Sequence, residues 1–202
     1  MLTKNINFKN FQLKKSDKKT KNDLKIFLSK NSALLKSLSS DYKNSYRKEI
    51  IKKFQKYFNI RVIGMGGSIL GTESIYNFLR HKIKKRFYFI NNLQSKINPL
   101  NKKKKYINLV VSKSGNTLET ISNVNILIKN DDKNIFITEN NKSYLSQLAG
   151  KLKAEIIHHN NFIGGRYSVL SEVGMLPAEL MGLNSKKFKQ INNLIKNKNF
   201  IN

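Results

Sequence analysis

From residue 59 onward, short runs of β-branched and aromatic residues alternate with longer amphipathic stretches, and this alternation constrains the fold more than any other feature of the chain. Runs at 60–64, 86–90, 106–112, 134–138 and 154–158 have the length and composition of strands, whereas 72–80, 117–130 and 143–151 carry apolar residues at helical spacing. Parallel strands need a crossover of a dozen residues or more, usually a helix, and the intervening segments supply it. The pattern predicts an α/β fold with a doubly wound, five-stranded parallel sheet preceded by N-terminal helices. In such sheets ligands bind beyond the carboxyl ends of the strands, so the loops that follow strands are the places to look for chemistry.

The flanks are less regular. Residues 1–20 show no sustained period and read as a loosely attached arm. From Asn22 the pattern is helical, with Leu24, Phe27 and Leu28 on one face, and Tyr42, Tyr46, Ile50, Phe54, Tyr57 and Phe58 recur at the spacing of one longer helix. After the fifth strand, Gly174 is placed to end one helix and Pro177 to start the next. Phe188, Ile191, Leu194 and Ile195 keep a weak helical period in a Lys- and Asn-rich tail. The expected division is 1–58 arm and helices, 59–183 the sheet domain, and 184–202 the start of a truncated C-terminal region; 202 residues suffice for one sizeable core.

Composition removes several function classes. There is no Cys, so disulfides and thiolate–metal sites are excluded. No apolar run approaches membrane-spanning length and no leader precedes the polar N-terminus, so a cytoplasmic protein without a membrane partner is expected. The formal charge of +27 raises the question of nucleic acid. Five of the 39 cations are Arg, however, and the Lys excess is spread along the chain beside Asn and Ile rather than clustered. It reads as solvated filling, with no specific nucleic-acid partner, although a positive field concentrates anionic substrates.

Two loops carry an anion-binding pattern. Gly64-Met65-Gly66-Gly67-Ser68-Ile69-Leu70-Gly71 follows the first strand, and its glycines allow backbone N–H groups close to a ligand. A dinucleotide fingerprint would want Gly or Ala at Ile69, and a P-loop would want Lys where Thr72 stands, so neither nucleotide motif fits. Ser112-Lys113-Ser114-Gly115-Asn116-Thr117 follows the third strand, where hydroxyls, a cation and a glycine meet a helix start. Asn116 is the expected N-cap, with Glu119 three residues on. A hydrogen bond to a charged group contributes about 1.5 to 3 kcal/mol, so four or five such donors hold a phosphate with neither metal nor other cofactor.

The pair of loops is similar to the sugar isomerase (SIS) domain, which binds phosphosugars. A third segment narrows the resemblance: Phe162-Ile163-Gly164-Gly165-Arg166-Tyr167-Ser168, continuing through Val169-Leu170-Ser171-Glu172-Val173-Gly174-Met175-Leu176-Pro177, resembles the glucose-6-phosphate isomerase family over its whole length. The resemblance implies that Ser68, Ser112, Lys113, Ser114 and Thr117 hold the substrate phosphate, that Gly67 and Gly165 let backbone approach, and that Arg166 stabilises a cis-enediolate formed as a proton moves between C2 and C1. An ion pair between Arg166 and Glu172 or Glu179 is the competing role for that side chain. A homodimer is implied for the complete protein.

The chain departs from the family at Asn92, Gln94 and Asn116, and it offers no counterpart of the family's carboxylate base, ring-opening histidine or late lysine. Glu172 and Glu179 read as solvated or structural. His158 and His159 are adjacent on a strand, so their side chains point to opposite faces and cannot share a metal, and His81 lies in a Lys-rich loop. The expectation is an isomerase sequence whose site is half built in these residues, inactive in isolation; a non-catalytic phosphosugar-binding module is the alternative.

Overall fold

The computed structural model describes residues 18–30, 32–93, 106–129 and 131–191. Its centre is a parallel sheet of five strands, β1 (Asn59–Gly64), β2 (Arg86–Ile90), β3 (Tyr106–Val111), β4 (Lys133–Glu139) and β5 (Glu155–His159), in the spatial order β2-β1-β3-β4-β5. Every pairing is parallel, with Gly64 opposite Val111 at the carboxyl end of the central pair. The helices are α1 (Lys18–Ser29), α2 (Ala33–Leu38), α3 (Lys48–Gln55), α4 (Leu70–Phe78), α5 (Leu118–Leu127), α6 (Tyr144–Lys151), α7 (Glu172–Leu180) and the single turn α8 (Ser185–Phe188).

Both faces of the sheet are covered, which is why β1 is buried throughout and β3 and β4 are near-continuous apolar runs. Side chains alternate between two cores. Ile60, Val62, Ile107 and Leu109 pack with Phe54 of α3, Ile75 of α4 and Leu176 of α7, whereas Ile63, Val110 and Phe136 pack with Val124 of α5 and Leu145 of α6. The chain leaves β1 for one face and β3 for the other, so the crevice between those two strands is the topological switch point of the sheet.

One buried row is polar. Register aligns Arg61 with Asn108 and Asn108 with Asn134. Asn108 Nδ2 donates to Asn134 Oδ1 at 2.8 Å, and Arg61 Nη1 donates to the Leu127 carbonyl at 3.0 Å, capping the C-terminal end of α5.

The expected doubly wound sheet and its crossover helices are present, but the flanks differ from expectation. The long helix over 42–58 is confined to α3, because Tyr42 and Tyr46 leave helical geometry to send their hydroxyls to Glu172 Oε2 and Glu179 Oε1, each at 3.0 Å. Gly174 and Pro177 do not break a helix; both lie inside α7. A Cβ on Gly174 would run into the Val169 carbonyl, so the glycine serves close packing. Pro177 donates nothing to the carbonyl of Val173, four residues back, and that oxygen instead accepts the Thr72 hydroxyl at 3.2 Å. The helix expected from Asn22 begins at Lys18, within the expected arm, and Leu24, Phe27 and Leu28 are exposed. The rest of the arm, Gln94, Leu194 and Ile195 fall outside the described residues.

Candidate functional site

Three loops meet at the carboxyl edge of the sheet. After β1 the chain turns through Met65 into a 3₁₀ turn, Gly66–Ser68, with Gly66 at φ +52°. Ile69, fully buried, anchors this turn in the core. A Cβ built on Gly64 would lie 2.8 Å from the Val111 carbonyl and 3.4 Å from Ser68 Cβ. Ser68 therefore sits directly over the paired ends of β1 and β3, at the switch point.

After β3, Ser112 is buried and its Oγ lies 3.1 Å from Thr117 Oγ1. Gly115, at φ +66°, makes the turn between them, and a side chain there would collide with Ser143. Thr117, not Asn116, is the N-cap of α5; its carbonyl accepts the first helical bond, from Ile121 at 3.0 Å. The Asn116 carboxamide is taken by the neighbouring helix, where its Oδ1 accepts from Tyr144 N at 2.9 Å. Thr117 spends its hydroxyl on Ser112 rather than on a cap, so the N–H groups of Leu118, Glu119 and Thr120 meet no acceptor among the described residues and face the loop. Ser114 is exposed, its Oγ accepting from Asn116 N at 3.2 Å. Lys113 Nζ donates to the Asn161 carbonyl at 2.8 Å and lies 3.2 Å from Glu139 Oε1.

That lysine contact ties in the third loop. Beyond Asn161 the chain enters Gly164 and a 3₁₀ helix, Gly165–Leu170. The backbone of Gly165 and Arg166 N lie where a Cβ on Gly67 would project, and Ser168 Oγ donates to the Gly165 carbonyl at 2.7 Å, with the Gly67 carbonyl at 3.4 Å. Arg166 is exposed and its side chain makes no hydrogen bond or ion pair among the described residues. The competing ion pair is not formed, because both acids are engaged elsewhere: Glu179 accepts from Tyr46 and Ser185, and Glu172 from Tyr42 and Asn160 N while facing His159.

Glu172 is fully buried, not solvated. Burial pushes its carboxyl upward, but the His159 ring and the N–H groups of Glu172 and Asn160 outweigh it and hold the group below the ordinary carboxylate range. His159 is buried and His158 exposed, as their alternation on a strand requires; His81 is exposed in a 3₁₀ turn. No group of three or more His, Cys, Asp or Glu placed to hold a metal occurs among the described residues, and none of their helices is long and apolar enough to cross a membrane. A cleft of about 550 Å³ lies elsewhere, against β5, lined by Ser45, Arg47, Lys53 and His158 among others. It touches none of the three loops, and volume does not outweigh the convergence of donors at the switch point. Three partners were not legible in the sequence: the Asn161 carbonyl and Glu139 on Lys113, and Tyr42 on Glu172. Each joins segments far apart in the chain and carries no motif of its own.

A doubly wound sheet of this kind is also the fold of a solved sugar-phosphate isomerase. Among solved structures it is similar to tagatose-6-phosphate ketose/aldose isomerase from Escherichia coli (TM-score 0.57, 16% identity, 73% of this chain and 45% of that one) and to a hypothetical protein from Thermus thermophilus (TM-score 0.66, 18% identity, 88% and 47%). The chain belongs to the phosphoglucose isomerase family, whose model matches residues 15–200. It is 35% identical over 147 residues to the glucose-6-phosphate isomerase of Methanocaldococcus jannaschii, a match covering 67% of this chain and 36% of that protein. The chain spans about a third of the length of such curated relatives.

Proposed function

We propose that residues 59–183 form the phosphosugar-binding domain of an aldose–ketose isomerase that interconverts glucose 6-phosphate and fructose 6-phosphate, the step shared by glycolysis and gluconeogenesis. The observation that carries the reading is the convergence of the three loops. Gly67 abuts Gly165 and Arg166, and Lys113 reaches Asn161, so a phosphate-type loop and the arginine-bearing loop belong to one site.

In this reading the phosphate takes donors from Ser68, Lys113 and Ser114, from the Ser112–Thr117 pair, whose mutual contact leaves one of the two hydroxyl protons for the ligand, and from the open N–H groups at the start of α5, where the helix end favours an anion by up to about 2 kcal/mol. The Lys113 ammonium has a donor to spare beyond Asn161 and Glu139. Gly67 and Gly165 keep the backbone close. Arg166, free of any protein carboxylate among the described residues, supplies fixed positive charge where the C1–C2 enediolate develops, a contribution of roughly a hundredfold or more in rate for such groups. Among the described residues Glu172 is buried and engaged and Glu179 is engaged by Tyr46 and Ser185, so neither is available as the proton-transferring base. We therefore assign the base to none of these residues and expect no turnover from the 202-residue chain alone. A cytoplasmic, homodimeric complete enzyme completes the proposal.

Calorimetric titration of the chain with glucose 6-phosphate and 6-phosphogluconate, for wild type and Lys113→Ala, tests the site. Binding at least about tenfold weaker in the variant supports it, and equal binding by the two proteins overturns it.

A further inference from the structure

The loop that carries Arg166 is closed by a buried pair that the proposed chemistry does not use. His159 ends β5 and Glu172 begins α7, and His159 Nδ1 lies 2.7 Å from Glu172 Oε1. Both side chains are essentially inaccessible to solvent. His159 Nε2 lies 3.1 Å from the Ile163 carbonyl, an acceptor only, so that nitrogen carries a proton. Glu172 already accepts from Asn160 N at 3.0 Å through Oε1 and from the Tyr42 hydroxyl at 3.0 Å through Oε2. Both ring nitrogens are thus engaged, Nε2 by the Ile163 carbonyl and Nδ1 by the Glu172 carboxyl group. Two further charged groups among the described residues lie close by: Lys189, which donates to the Tyr42 carbonyl at 3.1 Å and sits over the Tyr42 ring, and Glu179, which accepts from Tyr46.

We propose that His159 and Glu172 are positioning residues: a buried, hydrogen-bonded histidine–glutamate clasp that closes the loop from β5 to α7 and so sets where Arg166 stands against Gly67 and the phosphate loop. The geometry fits that task. One side of the His159 ring holds the end of the loop and the other holds the Ile163 carbonyl within it, three residues before Arg166. Ile163 is itself fully buried, so the segment 159–163 is pinned at both ends and the remaining freedom lies in Gly164 and Gly165, against the Gly67 backbone. A long arginine side chain contributes a directed charge only if its Cα is fixed. The inference rests on the proposed role of Arg166, and its test separates the two.

The full 202-residue chain is titrated with 6-phosphogluconate, which carries a carboxylate at the C1 end, and with inorganic phosphate, which lacks one. Wild type, Arg166→Ala and Glu172→Gln are compared. The clasp predicts that Glu172→Gln binds 6-phosphogluconate at least about tenfold more weakly while its affinity for inorganic phosphate stays within about twofold, the pattern of Arg166→Ala. A Glu172→Gln protein that binds 6-phosphogluconate as tightly as wild type, when Arg166→Ala does not, overturns the clasp and leaves the Arg166 reading intact. An Arg166→Ala protein that binds both ligands like wild type overturns the Arg166 reading, and the clasp with it. Should Glu172→Gln fail to fold, nitrogen-15 spectra of the wild-type imidazole rings decide the clasp without a variant. A solvent-protected ring N–H proton on His159 supports it, and a His159 ring whose N–H protons exchange freely with solvent overturns it.

Discussion

Gly67 and Gly165 lie backbone to backbone, 98 residues apart in sequence, and the space where a Cβ on Gly67 would go is filled by the Gly165 carbonyl and by Arg166 N. The contact joins the loop after β1 to the loop after β5. Gly67→Ala places a methyl group 2.7 Å from Arg166 N, and the obstacle is backbone rather than a pliable side chain. We expect it to lower stability by about 1–3 kcal/mol, as overpacking does, and to weaken 6-phosphogluconate binding in the same protein. Urea unfolding with parallel calorimetry checks both, and a variant equal to wild type in each would mean that the loops separate freely.

At the opposite end of the sheet, Arg61 reaches from β1 to the Leu127 carbonyl at the end of α5. Its guanidinium is buried, and burial is the largest influence drawing its proton affinity down, with Asp132 and Tyr106 opposing. Arg61→Met keeps the stem but leaves the helix-end carbonyl without its donor, so unfolding should be easier by roughly 1–3 kcal/mol. An unchanged urea midpoint with an unchanged slope would show that solvent replaces the guanidinium at no cost.

The parts of this molecule that were legible in its sequence are those where local pattern and tertiary role coincide. Ile60, Val62 and Ile63 read as a buried strand because both faces of β1 are covered, and the contiguous polar residues Ser112 to Thr117 read as a loop entering a helix, which they form ahead of α5. Where tertiary contacts override local preference, the reading shifted. Tyr42 and Tyr46 have helical spacing, yet their hydroxyls are drawn to acids 130 and 133 residues away. Asn116 has the chemistry of an N-cap, yet its carboxamide is taken by α6, which moves the cap of α5 one residue along to Thr117. Pro177 has the local signature of a helix start, yet Thr72 supplies the hydrogen bond that the Val173 carbonyl would otherwise lose. Each reversal comes from a partner that no window of sequence contains.

Glu172 has a pH signature with a definite sign. Burial pushes its proton affinity up, but the His159 ring and two backbone N–H groups outweigh that push, so the affinity is lower in the folded state than in the unfolded chain. The stability it contributes is therefore fully present above the ordinary glutamate value of about 4.3 and is lost as pH falls below it. Wild type should lose stability more steeply than Glu172→Gln between about pH 5 and pH 3, as urea midpoints at half-unit intervals would record. Parallel profiles for the two proteins would remove Glu172 from the acid response.

Thr117 offers the sharpest test of the phosphate loop, because its hydroxyl can accept from Ser112 and keep its own proton for the ligand, and it has no capping duty. Thr117→Val keeps the shape of the side chain and the backbone N–H groups of α5 while removing one donor to the proposed ligand. A hydrogen bond to a charged group is worth about 1.5–3 kcal/mol, so inorganic phosphate and glucose 6-phosphate should both bind at least about tenfold more weakly. Thr117→Ser, which retains the hydroxyl, should stay within about threefold of wild type. Because Ser112 loses a neutral partner in Thr117→Val, stability should fall by only about 1 kcal/mol, small enough for the fold to persist. Equal phosphate binding by Thr117→Val and wild type would take Thr117 out of the site and leave Ser68, Ser112, Lys113 and Ser114 as its remaining side-chain donors.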